Sequence, residues 1–276
     1  TDTRLGFQAD SECHIYYPAK LRWRVDQLTG LIADEFVPME QALRAGRDPF
    51  AAYTARDPEG PLLPCRQSPA PPRMDGRVDG DQWLACEPVD VHACEPATSG
   101  AARDRTTRMR ACWDEDALYL GFTCDEPDPA RIRATAADTE PVSPNTNDCI
   151  QISLEPQRLW PVRRILVTAT GARHQLTFET LPDYTWEAAA HHGSSFWSIT
   201  LRLPWQWVLP DGSSTGRPIR LMVQRHIPLD NGSGGTTCQR LYWPCVPTYL
   251  PSRLMQFPED PADLGWCLLS STNQSG

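Results

Sequence analysis

"RMRACWDEDALYLGFTCDEPDP", residues 108–129, is the stretch whose reading decides the fold. Apolar and polar residues alternate on both sides of Asp114-Glu115-Asp116, and the segment ends in a run of acids and prolines. Period-two alternation marks half-buried strands, and a cluster of acids between two such runs marks a tight turn. The segment reads as a β-hairpin. Side chains alternate across a strand, so Met109, Ala111 and Trp113 share one face while Arg108, Arg110 and Cys112 share the other. On the returning strand Leu118, Leu120 and Phe122 alternate against Tyr119, Gly121 and Thr123. Trp113 closes its strand beside the turn, where it is expected to cover the edge of a core rather than a ligand.

The same alternation recurs downstream. "DCIQISLEP" (148–156), "SSFWSITLRLPW" (194–205), "RPIRLMVQRH" (217–226) and "LGWCLLS" (264–270) read as further strands. "RRILVTATG" and "HQLTFET" read as a hairpin around Thr170-Gly171-Ala172. From Met74 onward the pattern predicts roughly eight to ten short strands with proline-rich corners, which is the pattern of a β-sandwich. Upstream, "VPMEQALRAGRDPFAAYTA" (37–55) carries the one clear helical spacing, with Met39, Leu43 and Phe50 towards one face. Gly46 and Asp48-Pro49 are expected to divide it into two short helices. "RDPEGPLLPCRQSPAPPR" (56–73) reads as a linker. The expected division is an N-terminal extension over 1–66 and a β domain over 67–272.

Composition excludes several function classes. A net charge of −9 with no basic stripe argues against nucleic acid as the main partner. No apolar run reaches the roughly 18 residues of a membrane span. The ten cysteines include no Cys-x-x-Cys pair, so neither a zinc ribbon nor a thioredoxin-like site is indicated. The 27 prolines, roughly twice the usual share, fit a loop-rich β protein. No nucleophile elbow, P-loop, His-Glu-x-x-His or dinucleotide fingerprint occurs, and the expectation is a non-enzyme. Thr1 is preceded by neither a methionine nor a signal peptide, so the sequence reads as a mature form or an excised piece.

Five segments, in order, resemble the family 9 carbohydrate-binding modules and their wider DOMON-like superfamily. They are "MDGRVDGDQWLACEPV" (74–89), the hairpin of 108–129, "NTNDCIQISLEP" (145–156), "FWSITLRLPWQWV" (196–208) and "PADLGWCLL" (261–269). The resemblance covers about residues 73 to 270. It implies an all-β, two-sheet antiparallel β-sandwich, jelly-roll-like, behind a short, partly helical N-terminal extension. It further implies non-catalytic binding of an oligo- or polysaccharide, chain ends included, in an extracellular or periplasmic setting, with a catalytic domain as a candidate neighbour in a larger assembly.

The site that the resemblance implies is an aromatic platform with hydrogen-bonding arginines. The family traps a sugar between two tryptophans. "VSPNTND" (142–148), at the first platform position, carries no aromatic residue. The region before the last strand offers Trp243 and Tyr249, and Trp160 in "PQRLWPV" offers a substitute face. Arg225 in "MVQRH" and Arg164 at the start of "RRILVTATG" are the candidate arginines, with a planar fork suited to vicinal hydroxyls or a carboxylate. Asp125, Glu126 and Asp128, with Asn147 and Asp148, resemble loops that hold structural calcium, and Gln151 stands where that family often has a glutamate. One rival is a haem-binding electron-transfer domain of the same superfamily, for which Met109, Met222 and His226 are the conceivable ligands. The other is an interaction module that has lost the sugar site.

Overall fold

A computed structural model of the chain describes residues 37–46, 61–92, 105–134, 143–155, 163–175, 186–209, 219–230, 236–244 and 264–270. The chain divides into two compact units, Thr1–Asp57 and Pro58–Gly276. In the first, helix α1 (Val37–Arg44) forms where the sequence predicts a helix. An exposed Arg44–Glu40 ion pair of 2.6 Å joins residues one turn apart, and Gly46 ends the helix at φ 65°, a conformation that favours glycine. The helix buries Ala42, whereas Leu43, expected on the packed face, is 62% exposed. The second expected helix lies outside the described residues.

In the second unit, twelve strands are found among the described residues. They are β1 (Leu62–Gln67), β2 (Val89–Val91), β3 (Thr107–Trp113), β4 (Ala117–Asp125), β5 (Cys149–Glu155), β6 (Arg163–Thr168), β7 (Arg173–Gln175), β8 (Glu187–His192), β9 (Phe196–Pro204), β10 (Ile219–Asp230), β11 (Thr236–Trp243) and β12 (Gly265–Ser270). Two one-turn helices, α2 (Asp81–Leu84) and α3 (Trp205–Val208), join them. The hairpin of 108–129 forms as β3 and β4, with Met109 opposite Phe122 and Trp113 opposite Leu118. Asp114 builds its turn: Oδ1 accepts the amides of Asp116 and Ala117, each at 2.9 Å, and Oδ2 accepts the Tyr119 hydroxyl at 2.8 Å. A short acid that ties down its own following amides is the reason for aspartate at this corner.

The all-β expectation holds, but the two-sheet antiparallel sandwich does not describe the hydrogen bonding. The strands form one sheet in the order β7-β6-β5-β10-β12-β1-β3-β4-β9-β8, with β11 also on β10 and β2 also on β3. The joint is β1, which runs parallel to both β12 and β3. This strand lies inside the stretch read as a proline-rich linker. Pro64, which has no amide hydrogen to donate, is tolerated because β3 joins β1 only from Cys65 onward. A second seam joins His92 to Tyr242. At the far end, His192 Nε2 lies 2.7 Å from the Ala169 carbonyl oxygen, drawing β8 towards the turn after β6. The sheet is therefore nearly barrel-like.

One hydrophobic core fills its interior, built from the alternate residues of every long strand. Met109, Ala111, Trp113, Leu118, Leu120 and Phe122 all enter it, as the alternation of the hairpin predicts. Trp113 packs edge-on against Trp205, with ring centres 6.3 Å apart, and its Nε1 donates to the Ser270 carbonyl at 3.2 Å. A smaller cluster on the opposite face of β3 and β4 holds Trp83, Cys86, Cys112, Ala117 and Tyr119.

Candidate ligand-binding face

The strands of the β10 half alternate between the core and an outer face. Ile219, Leu221, Val223 and Ile227 of β10 enter the core, and so do Ile150, Ile152 and Leu154 of β5 and Ile165 and Val167 of β6. The intervening residues point the other way. This parity sorts the expected site residues.

Arg225 shares the inward parity and is fully buried. Its Nη1 donates to the Thr106 carbonyl at 3.0 Å and the Thr107 hydroxyl at 2.9 Å, and its Nη2 donates to the Asp125 carbonyl at 2.9 Å. It is an internal strut from β10 to the starts and ends of β3 and β4, not an arginine at an open surface. Trp243, the expected platform, is 4% exposed and belongs to the core. Its ring lies so close to Gly265 that a Cβ there would meet Trp243 Cη2 at 2.6 Å. Both assignments placed in the site residues that the structure places inside. The sequence motif gave their neighbourhood, but not the parity of the strand. Trp160 and Tyr249 lie outside the described residues. Arg164 is half-buried on the outward parity of β6.

The acidic residues expected to share a calcium ion are engaged separately. Glu126 is buried with Arg105, whose Nε stands 2.9 Å from Oε2 and whose Nη2 donates to Oε1 at 3.0 Å. The Asp125 carboxylate accepts the Thr106 hydroxyl, and Asp128 pairs with Arg131 at 3.2 Å. Asn147 donates to the Ser143 carbonyl at 3.0 Å. Asp148 accepts the Arg133 amide at 2.9 Å, and burial pushes its carboxyl up to about 6, partly offset by that amide and by Arg225. A hard divalent cation needs several oxygens converging at 2.3–2.6 Å. Among the described residues no group of three or more His, Cys, Asp or Glu is placed to hold a metal ion.

The candidate haem ligands are also separated. Met109 faces the core, while Met222 and His226 take the outward parity of β10, four residues or roughly 13 Å apart along the strand. His226 is buried beside Cys238, with Sγ 3.8 Å from Nδ1. Burial, helped by the charge of Arg240, pushes its imidazole down to about 3 and keeps it neutral.

The outward parity brings a different set together. Gln224 of β10 stands opposite Gln151 of β5 on one side and Tyr242 of β11 on the other. Leu166 and His174 continue this row onto β6 and β7. The adjacent row runs Met222, Ser153, Arg164. Further along β10, Arg220 lies opposite Trp266, its guanidinium carbon 5.1 Å from the centre of the indole ring. Gln151, Ser153 and Met222 are buried in this face, whereas Arg164, His174, Gln224 and Trp266 are half-buried. The other described tryptophans are all buried, so Trp266 is the one that presents an indole at a surface. Its signal in the sequence was the pair Gly265 and Cys267, whose inward parity sends the residue between them outward.

Comparison with solved structures identifies the same architecture elsewhere. A family 9 carbohydrate-binding module from Caldicellulosiruptor kristjanssonii in complex with cellotriose superposes with a TM-score of 0.55 at 15% identity, over 78% of this chain and 96% of that one. The module in complex with glucose gives 0.53 at 16% identity, over 76% and 97%. A Bacteroides uniformis protein for which carbohydrate binding is proposed gives 0.54 at 12% identity, over 76% and 99%. This chain shares their fold. No family model matches the sequence, and no curated protein matches it. Among the described residues no helix is long and apolar enough to cross a membrane.

Proposed function

We propose that this protein binds a saccharide, without catalysis, on the outer face of the β12-β10-β5-β6 part of the sheet. The observation that carries the reading is the gathering of a half-buried tryptophan, an arginine and an amide on one face of a fold shared with sugar-bound modules. Trp266 supplies a flat apolar surface for a pyranose ring, and Arg220 beside it holds the indole in place. Arg164 and Gln224 supply donors for hydroxyls, the arginine as a charge-assisted fork. The rows separate Trp266 from Gln224 by two strand repeats along β10, roughly 13 Å, which suits an oligosaccharide better than a single ring. Under the same proposal it sits beside a catalytic domain that acts on polysaccharide outside the cell.

Titration calorimetry of the full chain with cellotriose, glucose and a panel of plant oligosaccharides tests the proposal. Saturable binding that weakens in Arg164→Ala and Trp266→Ala is the expected outcome. A folded protein that binds none of them would favour an interaction module without a sugar site.

A further inference from the structure

Two buried clusters each hold a neighbouring pair of cysteines among the described residues. Cys65 and Cys267, on neighbouring strands, are fully buried in the main core, and burial pushes the Cys65 thiol well up. Cys86 and Cys112 pack together instead in the small cluster between α2 and the hairpin, on the outside of the sheet. Cys86 directly follows the capping residue of α2 and precedes Glu87 and Pro88, which are exposed.

The position of Cys86 against β3 is fixed by groups around it. Its amide donates to the Trp83 carbonyl at 3.1 Å, and its Sγ donates to the Gln82 carbonyl at 3.2 Å. Arg110, two residues before Cys112 and on the same face of β3, donates through Nη1 to the Cys86 carbonyl and to the Trp83 carbonyl at 3.3 Å. The turn is thereby clamped over the strand, with Cys86 and Cys112 packed in one small buried cluster. A disulfide requires sulfurs at about 2.05 Å and a Cβ separation near 3.8 Å, so it forms between cysteines that share a small cluster.

We infer that Cys86 and Cys112 form a disulfide in an oxidising environment, a modification site that pins the α2 turn to β3. The surroundings also assign the order of events. The hydrogen bond from Cys112, with the charges of Arg110 and Arg66, holds the Cys86 sulfur below the ordinary thiol range against the opposing effect of burial. Cys112 is driven up by the same hydrogen bond and by burial. Cys86 is therefore the thiolate that attacks a small disulfide such as oxidised glutathione, forming a mixed disulfide and releasing one glutathione thiolate. Cys112 then loses its proton to solvent and attacks the Cys86 sulfur, releasing the second glutathione. Two protein thiols are oxidised and one small disulfide is reduced to two thiols. Cys65 and Cys267 are fully buried in the main core, away from a small disulfide in solution, and are expected to stay reduced.

The test is peptide mapping of the full chain, kept folded in oxidised glutathione, quenched with iodoacetamide and digested without reductant. The expected product is one cross-linked pair joining the peptides of Cys86 and Cys112, two hydrogens lighter than their sum, with Cys65 and Cys267 alkylated once the chain is unfolded. Alkylation of both Cys86 and Cys112, or a link from either to another cysteine, would overturn the inference. In Cys112→Ser the mixed disulfide should accumulate on Cys86, and its absence would overturn the assignment of the attacking sulfur. Oxidation should raise the Tm of the wild type and leave that of Cys86→Ser unmoved. The map of the wild-type chain decides the matter even where a variant folds poorly.

Discussion

The guanidinium carbon of Arg225 stands 5.4 Å from the centre of the Trp197 ring, inside the core. The tryptophan lies on β9 and the arginine on β10, so this stacking, with the three hydrogen bonds to Thr106, Thr107 and Asp125, ties the two halves of the sheet together through the interior. A buried guanidinium is tolerated because two carbonyls, a hydroxyl and an aromatic face replace its water.

Replacement of Arg225 by methionine keeps the stem and removes the fork. It leaves the Thr106 and Asp125 carbonyls without their donor, and the expected cost is about 3–5 kcal/mol, the range for breaking a buried charged network. Arg225→Lys keeps the charge but cannot serve three acceptors with the same geometry, so an intermediate loss is expected. Urea denaturation reads both values. Unchanged stability with lost saccharide affinity would return Arg225 to the ligand site.

Gly121 on β4 provides the space in which Trp83 packs. A Cβ at this position would stand 2.9 Å from Val78 Cγ1 and 3.0 Å from Trp83 Cε3 and Cζ3. Gly121→Ala is expected to displace the indole and to cost about 1–3 kcal/mol, as overpacking of a filled site does. A red shift of tryptophan fluorescence at the start of the denaturation curve would mark the displaced ring. An unshifted spectrum with wild-type stability would show that the cluster relaxes freely.

The sequence made the local structure legible and left the connections between elements open. Residues 108–129 gave the hairpin, its turn and the inward set from Met109 to Phe122, because alternation is a local property. β1 was not legible: its two prolines of context and short length read as linker, and only its parallel partners, far away in sequence, make it a strand. The motif also marked β10 and the region of Trp243, where neighbouring residues point to opposite faces. Gln224 lies outside and Arg225 inside, and a reading displaced by one position exchanges the outer face for the core.

That distinction makes a paired prediction from two tryptophans. Trp266→Ala should lower saccharide affinity by a factor of about five to ten, the loss of one stacked ring, with a small effect on stability. Trp243→Ala should leave a cavity and cost about 3–5 kcal/mol, with affinity unchanged in the protein that remains folded. Calorimetry and denaturation on both variants separate the roles. The reverse pattern would restore Trp243 as the platform.

Two buried groups give the stability a dependence on pH with opposite signs. The His226 imidazole is held down at about 3 in the folded chain, against an ordinary value near 6.5. The unfolded chain therefore binds more protons between these values, and stability falls as pH falls through that window, by up to roughly 4–5 kcal/mol. Asp148 is held up at about 6, against 3.8, so here the folded chain binds more protons. Its contribution is complete below about pH 4 and is lost as pH rises through 6, by up to roughly 3 kcal/mol. Asp148→Asn keeps an acceptor for the Arg133 amide and is expected to raise stability at pH 7.5 while leaving it nearly unchanged at pH 4. His226→Gln is expected to flatten the loss between pH 6.5 and 4, where Arg240 and the Cys149 and Cys238 thiols surround the ring. Urea midpoints measured from pH 4 to 8 on the three proteins test both signs. An Asp148→Asn curve parallel to the wild type would show that this carboxyl is already ionised throughout the range.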